Sequence, residues 1–376
     1  MFDDCLPGYV IFMPKIREAL FDDYEAIMQL VKKYGLKTKA RDEWLHLWVN
    51  NPLLIKDGLE NWPTGWVLLN DDKEVVGYLG NIPIGYEFQG VKMIAAVSSS
   101  WIVDKPYRNY SFMLLHKYYT QNTTDFYFTT SANETEEALY MYKARKLPVQ
   151  TYNILLFWIT NYRGFVCSVL SKYKTPLSNI SSYPLSFFLW LYDKFRGRNR
   201  YNKNTKRRIQ YFNGFNEEFD IFWQKLKSNS DTIMSIRNSE TLNWHFKYPI
   251  KEGKIWIYAV KDNSEMIAYA IFLREDNSRF NLKRYRLVDM QTTKDAECLM
   301  DLISVAIKRC KEEGIHMLEV LGFNNEKRNI MEKCYPHMRS LSYYPFFYKI
   351  KNRSMLNLLE NPQSWDPCLF DGDSSL

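Results

Sequence analysis

At 376 residues, with 46% hydrophobic and 25% charged positions, the chain is long enough for two domains with real cores and too apolar to be disordered. The formal net charge of +7 favours anionic partners such as nucleotides and other phosphate-bearing ligands, RNA or a membrane surface. Six cysteines form no C-x-x-C pair and no histidine stands at metal-ligand spacing, so no metal is expected; with no signal peptide in view, the reading is a reduced, cytoplasmic protein.

In chain order, "YVIFMPKI" predicts a strand. "EALFDDYEAIMQLVKKYG" predicts a helix with Leu20, Tyr24, Ile27, Met28 and Val31 on one face and Gly35 closing it. "ARDEWLHLWVNNP" is a shorter helix stopped at Pro52. "GWVLLN", "EVVGYLGNIPIGYEFQ" and "VKMIAAVSSSWIV" predict an antiparallel meander with turns at Asn70–Lys73 and Gln89-Gly90. The last of these strands ends at Val103, crosses "DKPYRNY", and opens into a helical pattern from Ser111. A helix start there offers unpaired N–H groups and a positive dipole end to an anion; equally, Ser111 is a plain N-cap on a surface helix. "DFYFTTSAN" then predicts a strand, "ETEEALYMYKARKLP" a helix and "VQTYNILLFWI" a strand, which completes a first unit over residues 1–160.

Residues 161–210 are a connector containing an apolar helix and a basic segment with Arg196, Arg198, Arg200, Lys203, Lys206, Arg207 and Arg208. The basic segment reads as a solvated linker or as a phosphate or membrane-surface patch. The apolar runs "ILLFWI" and "YPLSFFLWLYDKF" fall short of the ~20 residues a membrane span needs, and read as a buried strand and an interdomain helix. Residues 211–376 repeat the plan of the first unit: two helices, three strands, a long amphipathic helix, a strand, a helix and a last strand, "SLSYYPFFYKI". The fold class is therefore α/β (α+β), two similar domains in tandem.

This order, with an arginine in the strand-to-helix turn, resembles the GNAT superfamily of acyl-CoA-dependent acyltransferases over about residues 8–160. The family signature V-x-P-x-Y-R-x-x-G-x-G/A is met by Val103, Tyr107 and Arg108, with Pro106 one place late and Ser111 and Met113 in the glycine positions. The resemblance implies two mixed, mostly antiparallel GNAT-like sheets flanked by helices, the second degenerate. It implies an acyl-CoA donor bound by Trp101, Ile102 and Val103 through the strand edge, by Arg108, Asn109, Tyr110 and Ser111 at the pyrophosphate, and by Asn133. Tyr142, in "MYKARKLP", matches the family tyrosine that protonates the leaving thiolate. No residue stands out as general base.

The segments "SIRNSETLNWHFKYP" and "SWDPCLFDGDSSL" resemble tandem-GNAT N-acyltransferases encoded with surface-polysaccharide genes. That resemblance implies transfer of an acetyl or 3-hydroxybutanoyl group from CoA to a nucleotide-linked, dTDP-type amino sugar by a monomer or homodimer. Arg237 and Lys247 are then expected at the diphosphate, and Trp244 or Tyr344 against the base. Neither a nucleic acid partner nor a membrane span is expected. Two other readings stay open: an aminoacyl-tRNA-dependent transferase, in which the basic segment holds RNA, and a non-catalytic two-domain binding protein.

Overall fold

The computed structural model describes residues 13–56, 58–59, 61–130, 136–175, 178–198, 207–294, 296–351 and 355–376. Strand β1 (Lys15–Glu18) leads through helices α1 (Tyr24–Lys33), α2 (Arg41–Val49) and α3 (Pro52–Lys56) to strands β2 (Gly65–Leu69), β3 (Val75–Phe88) and β4 (Val91–Val103). Helix α4 (Ser111–Thr120), strand β5 (Phe126–Thr129), helix α5 (Glu136–Met141) and strands β6 (Arg145–Lys146) and β7 (Ile154–Ile159) follow. Helices α6 (Tyr162–Lys172) and α7 (Ser178–Phe195) connect to strand β8 (Ile209–Phe212), helix α8 (Glu217–Ser228), strand β9 (Met234–Ser235) and helices α9 (Ser239–His245) and α10 (Lys247–Lys251). Strands β10 (Ile255–Asp262), β11 (Glu265–Arg274) and β12 (Arg284–Thr292) precede helix α11 (Cys298–Glu312), strand β13 (Met317–Val320) and helix α12 (Asn325–Glu332). Strands β14 (His337–Ser340) and β15 (Phe347–Ile350) and helix α13 (Leu356–Glu360) lead into an irregular tail.

The long β3–β4 hairpin is built as its sequence suggests. Phe88 opposes Val91 across Gln89 and Gly90, whose φ angles of 48° and 80° are those of a type I′ turn matched to strand twist. Helix α1 buries Ile27 and Val31 of the predicted face and adds Leu30, with Tyr24 and Met28 half-buried; Leu20 lies before the helix and is exposed, a correction to the predicted stripe. Helix α2 stops before Pro52, but Pro52 then opens α3, because a proline at the first helical position forfeits no hydrogen bond.

The strands sort into two sheets, ordered β1-β2-β3-β4-β5-β15-β6, with β9 on β3, and β14-β7-β13-β12-β11-β10-β8. Here the expected assignment of strands to halves is corrected. Strand β7, "ILLFWI", lies between β13 and β14 in the second sheet, while β15 pairs β5 in the first. Leu155, Leu156 and Trp158 join the second core, and Phe347, Trp244 and Trp365 join the first. Each half thus buries apolar side chains from the other, which ties the two sheets together.

The apolar connector helix is also corrected. It does not lie between the sheets: α6 and α7 form a hairpin, and α7 turns its large apolar side chains outward.

Candidate functional site

Strands β4 and β5 run parallel but pair only from Ala95–Val97 to Phe126–Phe128. The last link between them is the Ser98 hydroxyl, which donates to Thr129 Oγ1 at 3.0 Å. Beyond it, Ser98–Val103 continues along β3 alone. The register against β3 shifts where Tyr78 opposes Ile102 and Gly80 opposes Ser99, and Ser100 takes a φ of 53°. A bulge with a non-glycine residue in the left-handed region costs energy, and such bulges recur beside binding sites. Trp101 is half-buried, Ile102 and Val103 are buried, and the backbone edge of this segment away from β3 has no strand partner among the described residues.

The C-terminal tail fills the end of this opening. Thr130, just past β5, donates its hydroxyl to Asp373 Oδ1 at 2.8 Å, and the Asp373 amide donates back to Thr130 Oγ1 at 3.2 Å. Glycine is needed beside them: a Cβ on Gly372 would lie 2.0 Å from Thr130 Oγ1. On the tail's other side, Ser375 Oγ lies 2.8 Å from His245 Nε2 and Lys39 Nζ donates to the Leu376 carbonyl at 2.6 Å. These residues border a cleft of about 240 Å³ between the halves, lined by Lys37, Lys39, His46, Tyr248, Lys254 and Arg274 among others. A larger cleft, about 720 Å³, lies at the far end of α4 around Tyr119, Lys143, Arg145 and Lys349 and includes neither Ser98–Val103 nor Asp373.

The turn after β4 differs from a bare helix start. Lys105–Tyr110 form a 3-10 turn continuous with α4, and the Ser111 amide donates to the Arg108 carbonyl. The Ser111 amide is therefore spent within the turn, so an anion here meets side chains more than backbone N–H groups. Tyr110 takes the cap position of α4 with no side-chain cap, in place of the expected Ser111 N-cap. Asp104 anchors the turn by accepting from Lys33 Nζ and from the Tyr34 hydroxyl, each at 2.7 Å. Arg108 and Asn109 are exposed, and Arg108, 6.0 Å from the Tyr34 ring centroid, forms no ion pair with any described residue. Tyr142 stacks on Tyr119 at 5.2 Å and donates its hydroxyl to the Phe112 carbonyl at 2.9 Å, so it bridges α5 to the first turn of α4. Partial burial raises its pKa above the ordinary phenol value, keeping the hydroxyl protonated. Asn133 lies outside the described residues.

The expected acceptor set does not assemble. Arg237 is fully buried and all its donors are used: Nε on Asp289 at 3.0 Å, Nη1 on the Ser235 carbonyl at 2.7 Å and its hydroxyl at 3.1 Å, and Nη2 on Asp371 at 3.2 Å and Cys368 Sγ. It has no N–H left for a diphosphate. Burial alone would raise Asp289, but Arg237 and the Tyr269 hydroxyl hold it low; burial pushes Asp371 up against the pull of Arg237. Trp244 is buried, donating its indole N–H to the His46 carbonyl at 3.1 Å while His46 Nε2 lies 2.9 Å from the Trp244 carbonyl. Tyr344 is buried with its hydroxyl on the Leu147 and Val149 carbonyls. Neither ring offers a free stacking face. Lys247 is exposed and stands apart from Arg237 on α10. The two segments that carry the finer resemblance do meet, through Arg237–Asp371, the hydrogen bond from Ser235 to Asp371 and the His245–Ser375 contact.

The residues that sequence reasoning missed are Ser98, Thr129, Thr130 and Asp373. Only the "FDGDSSL" ending carried a hint, an acidic pair flanking a glycine. Among the described residues, no group of three or more His, Cys, Asp or Glu is arranged to hold a metal ion.

Two mixed sheets flanked by helices, with a parallel strand pair parting in the first, define the tandem GNAT fold. The chain is similar to a GCN5-related N-acetyltransferase from Anabaena variabilis ATCC 29413 (TM-score 0.53, 10% identity, 90% of this chain and 73% of that one). It is also similar to Saccharomyces cerevisiae N-myristoyltransferase with bound myristoyl-CoA (TM-score 0.56, 14% identity, 92% and 80%). A third likeness is a probable N-acyltransferase from Enterococcus faecalis V583 (TM-score 0.54, 9% identity, 90% and 73%). No family model and no curated protein matches the sequence. At these identities the likeness is one of fold.

Proposed function

We propose that the chain is an acyl-CoA-dependent N-acyltransferase whose acceptor is the amine of a nucleotide-linked amino sugar. The observation that carries the reading is the Ser98–Val103 edge, left unpaired by the parting of β4 and β5 and facing a hydroxyl and carboxylate cluster. Solved structures with this fold include one holding myristoyl-CoA.

The thioester supplies an activated acyl carbon; the chain's residues do the rest. The β4 edge pairs with the amides of the pantetheine arm, as an added strand would. Arg108 supplies the charge for the pyrophosphate, a larger share than in a loop with free backbone donors. The Asp373 carboxylate takes a proton from the acceptor ammonium, leaving the amine lone pair to form the new C–N bond. A backbone N–H of the bulged segment faces the oxygen on which charge develops. As the C–S bond breaks, Tyr142 gives its proton to the sulfur, exchanging its hydrogen bond to Phe112, and the resulting phenolate takes the second proton that the acylated nitrogen sheds to become a neutral amide.

The acceptor's nucleotide lies in the cleft on the other side of the tail. There Tyr248 offers a ring, and Lys37 offers charge for a diphosphate together with Lys39, Lys254 and Arg274, which exchange their pairing with Glu43, Glu252 and Asp276 for it. Trp244 borders this cleft, whereas Arg237, Lys247 and Tyr344 do not line it. Acetyl-CoA and 3-hydroxybutanoyl-CoA are the proposed donors and dTDP the proposed nucleotide. Product detection by mass spectrometry with a panel of amino-sugar nucleotides tests the reading, with Tyr142→Phe as the control for thiolate protonation. Tyr142→Phe is expected to slow turnover roughly ten- to a thousandfold while donor binding survives. Absence of any N-acylated product across the panel contradicts the acceptor assignment.

A further inference from the structure

Helix α7 is built inside out. Its contact line toward α6 carries Ser182 and Asp193, both buried, with Ser186 and Leu189 half-buried between them. The rest of its surface presents Ile180, Tyr183, Leu185, Phe187, Phe188, Trp190, Tyr192 and Phe195, with Arg163 of α6 lying 3.9 Å over the Tyr183 ring. These are eight of the 24 exposed large hydrophobic side chains among the described residues, gathered on one 18-residue helix. Phe187 is 55% exposed, Phe188 63% and Phe195 83%. Tyr173 and Val169 on the adjoining end of α6 extend the patch. Single exposed apolar residues are ordinary, but a contiguous patch of this kind marks an interaction surface.

Charge states what that surface meets. Residues 161–208 hold 11 of the 50 lysines and arginines but one of the 43 acidic residues, so the remainder of the chain is net −3. Arg163, Lys172, Lys174, Lys194 and Arg196 are exposed in the described part of this stretch. Its one acid, Asp193, is turned inward, where it accepts from the Tyr162 hydroxyl at 2.9 Å, His337 Nε2 at 2.8 Å and Arg198 at 3.2 Å. The patch therefore shows cations and apolar rings with no exposed carboxylate of its own. No described helix is long and apolar enough to cross a membrane. An apolar helix face rimmed by Lys and Arg, with Trp and Tyr among Phe and Leu, is instead the pattern of a helix lying in the bilayer interface.

We propose that the α6–α7 hairpin docks the protein on a membrane surface containing anionic phospholipid. Phe187, Phe188 and Phe195 enter the acyl boundary, and Lys172, Lys174, Lys194 and Arg196 meet lipid phosphates. The inference is independent of the acyl-transfer reading.

Vesicle co-sedimentation of the full chain tests it, using neutral phosphatidylcholine and vesicles with about 30 mol% phosphatidylglycerol. Binding to the anionic vesicles is expected to be roughly tenfold or more tighter than to the neutral ones, and to weaken with salt. Phe187→Ser with Phe188→Ser should abolish sedimentation without lowering the melting temperature, because both side chains are exposed. Lys172→Glu with Lys174→Glu should weaken it and keep the fold. Three results overturn the proposal: no binding to anionic vesicles; binding unchanged in both double variants; or a patch that instead holds RNA or a second copy, seen as RNA binding or a dimer lost in the phenylalanine variant with no vesicle binding.

Discussion

The Thr130 hydroxyl donates to the Asp373 carboxylate across 2.8 Å, although 243 residues separate the two in sequence. This contact sets the tail at the point where β4 and β5 part. It also gives the opening a carboxylate, which the strands themselves lack there.

Replacing Asp373 by asparagine keeps the size of the side chain and removes its basicity. Turnover is expected to fall roughly 10²- to 10⁴-fold, the usual range for a general base, with donor affinity unchanged. The activity remaining should rise with pH as the free amine supplies itself. Steady-state kinetics between pH 6 and 9 check this, and a variant with full activity at neutral pH removes the base role.

Arg237 is predicted to be a structural residue. Arg237→Met leaves Asp289 and Asp371 without their shared cation in a dry interior, a change that typically costs about 3–5 kcal/mol. Arg237→Lys is expected to fail as well, because one ammonium cannot reproduce a fork that spans Asp289, Asp371 and Ser235. Urea unfolding measures both.

His245 gives the fold a defined acid sensitivity. Burial against Phe246 and Phe370, aided by Lys39 and Arg237 and opposed by Asp289, lowers its pKa to about 3. The unfolded state gains a proton below about pH 6.5 and the folded state does not, so stability falls as pH drops from there toward 3. The slope attributable to this group approaches about 1.4 kcal/mol per pH unit. His245→Asn lowers stability throughout but should flatten the curve between pH 6.5 and 4.5. An unchanged slope assigns the acid sensitivity to other groups.

The first half was largely legible because its periodicities are clean. The β2–β3–β4 meander, the Gln89-Gly90 turn and the Ser111 helix stand where hydrophobic pattern and turn chemistry put them. What failed was anything decided between the halves. "ILLFWI" and "SLSYYPFFYKI" contain credible strands, but nothing local says which sheet each joins. Arg237 resembles a surface cation until Asp289 and Asp371 arrive from distant segments to bury it. Trp244 and Tyr344 looked like stacking faces for the same reason: an aromatic gives no sequence sign of whether its ring is already covered. Helix α7 misled in the opposite direction, since apolar content argues for burial and only its neighbours show that this helix is uncovered.

Arg108→Ala is expected to leave the melting temperature unchanged, since the side chain is exposed and holds no ion pair with a described residue. Donor affinity should fall roughly ten- to a hundredfold with loss of a charge-assisted contact. Titration calorimetry with CoA reads both binding and its loss. Equal affinity in the variant places the phosphates away from this turn.

The central claim is that the Ser98–Val103 edge receives the donor. Hydrogen exchange of the full chain, followed by mass spectrometry with and without saturating acetyl-CoA, tests it most directly. The account predicts slower exchange in peptides covering Ser98–Ser111, where the added ligand pairs with the open edge. Unchanged exchange across Ser98–Ser111 while acetyl-CoA demonstrably binds, with protection at another site such as the cleft around Lys143 and Lys349, contradicts it.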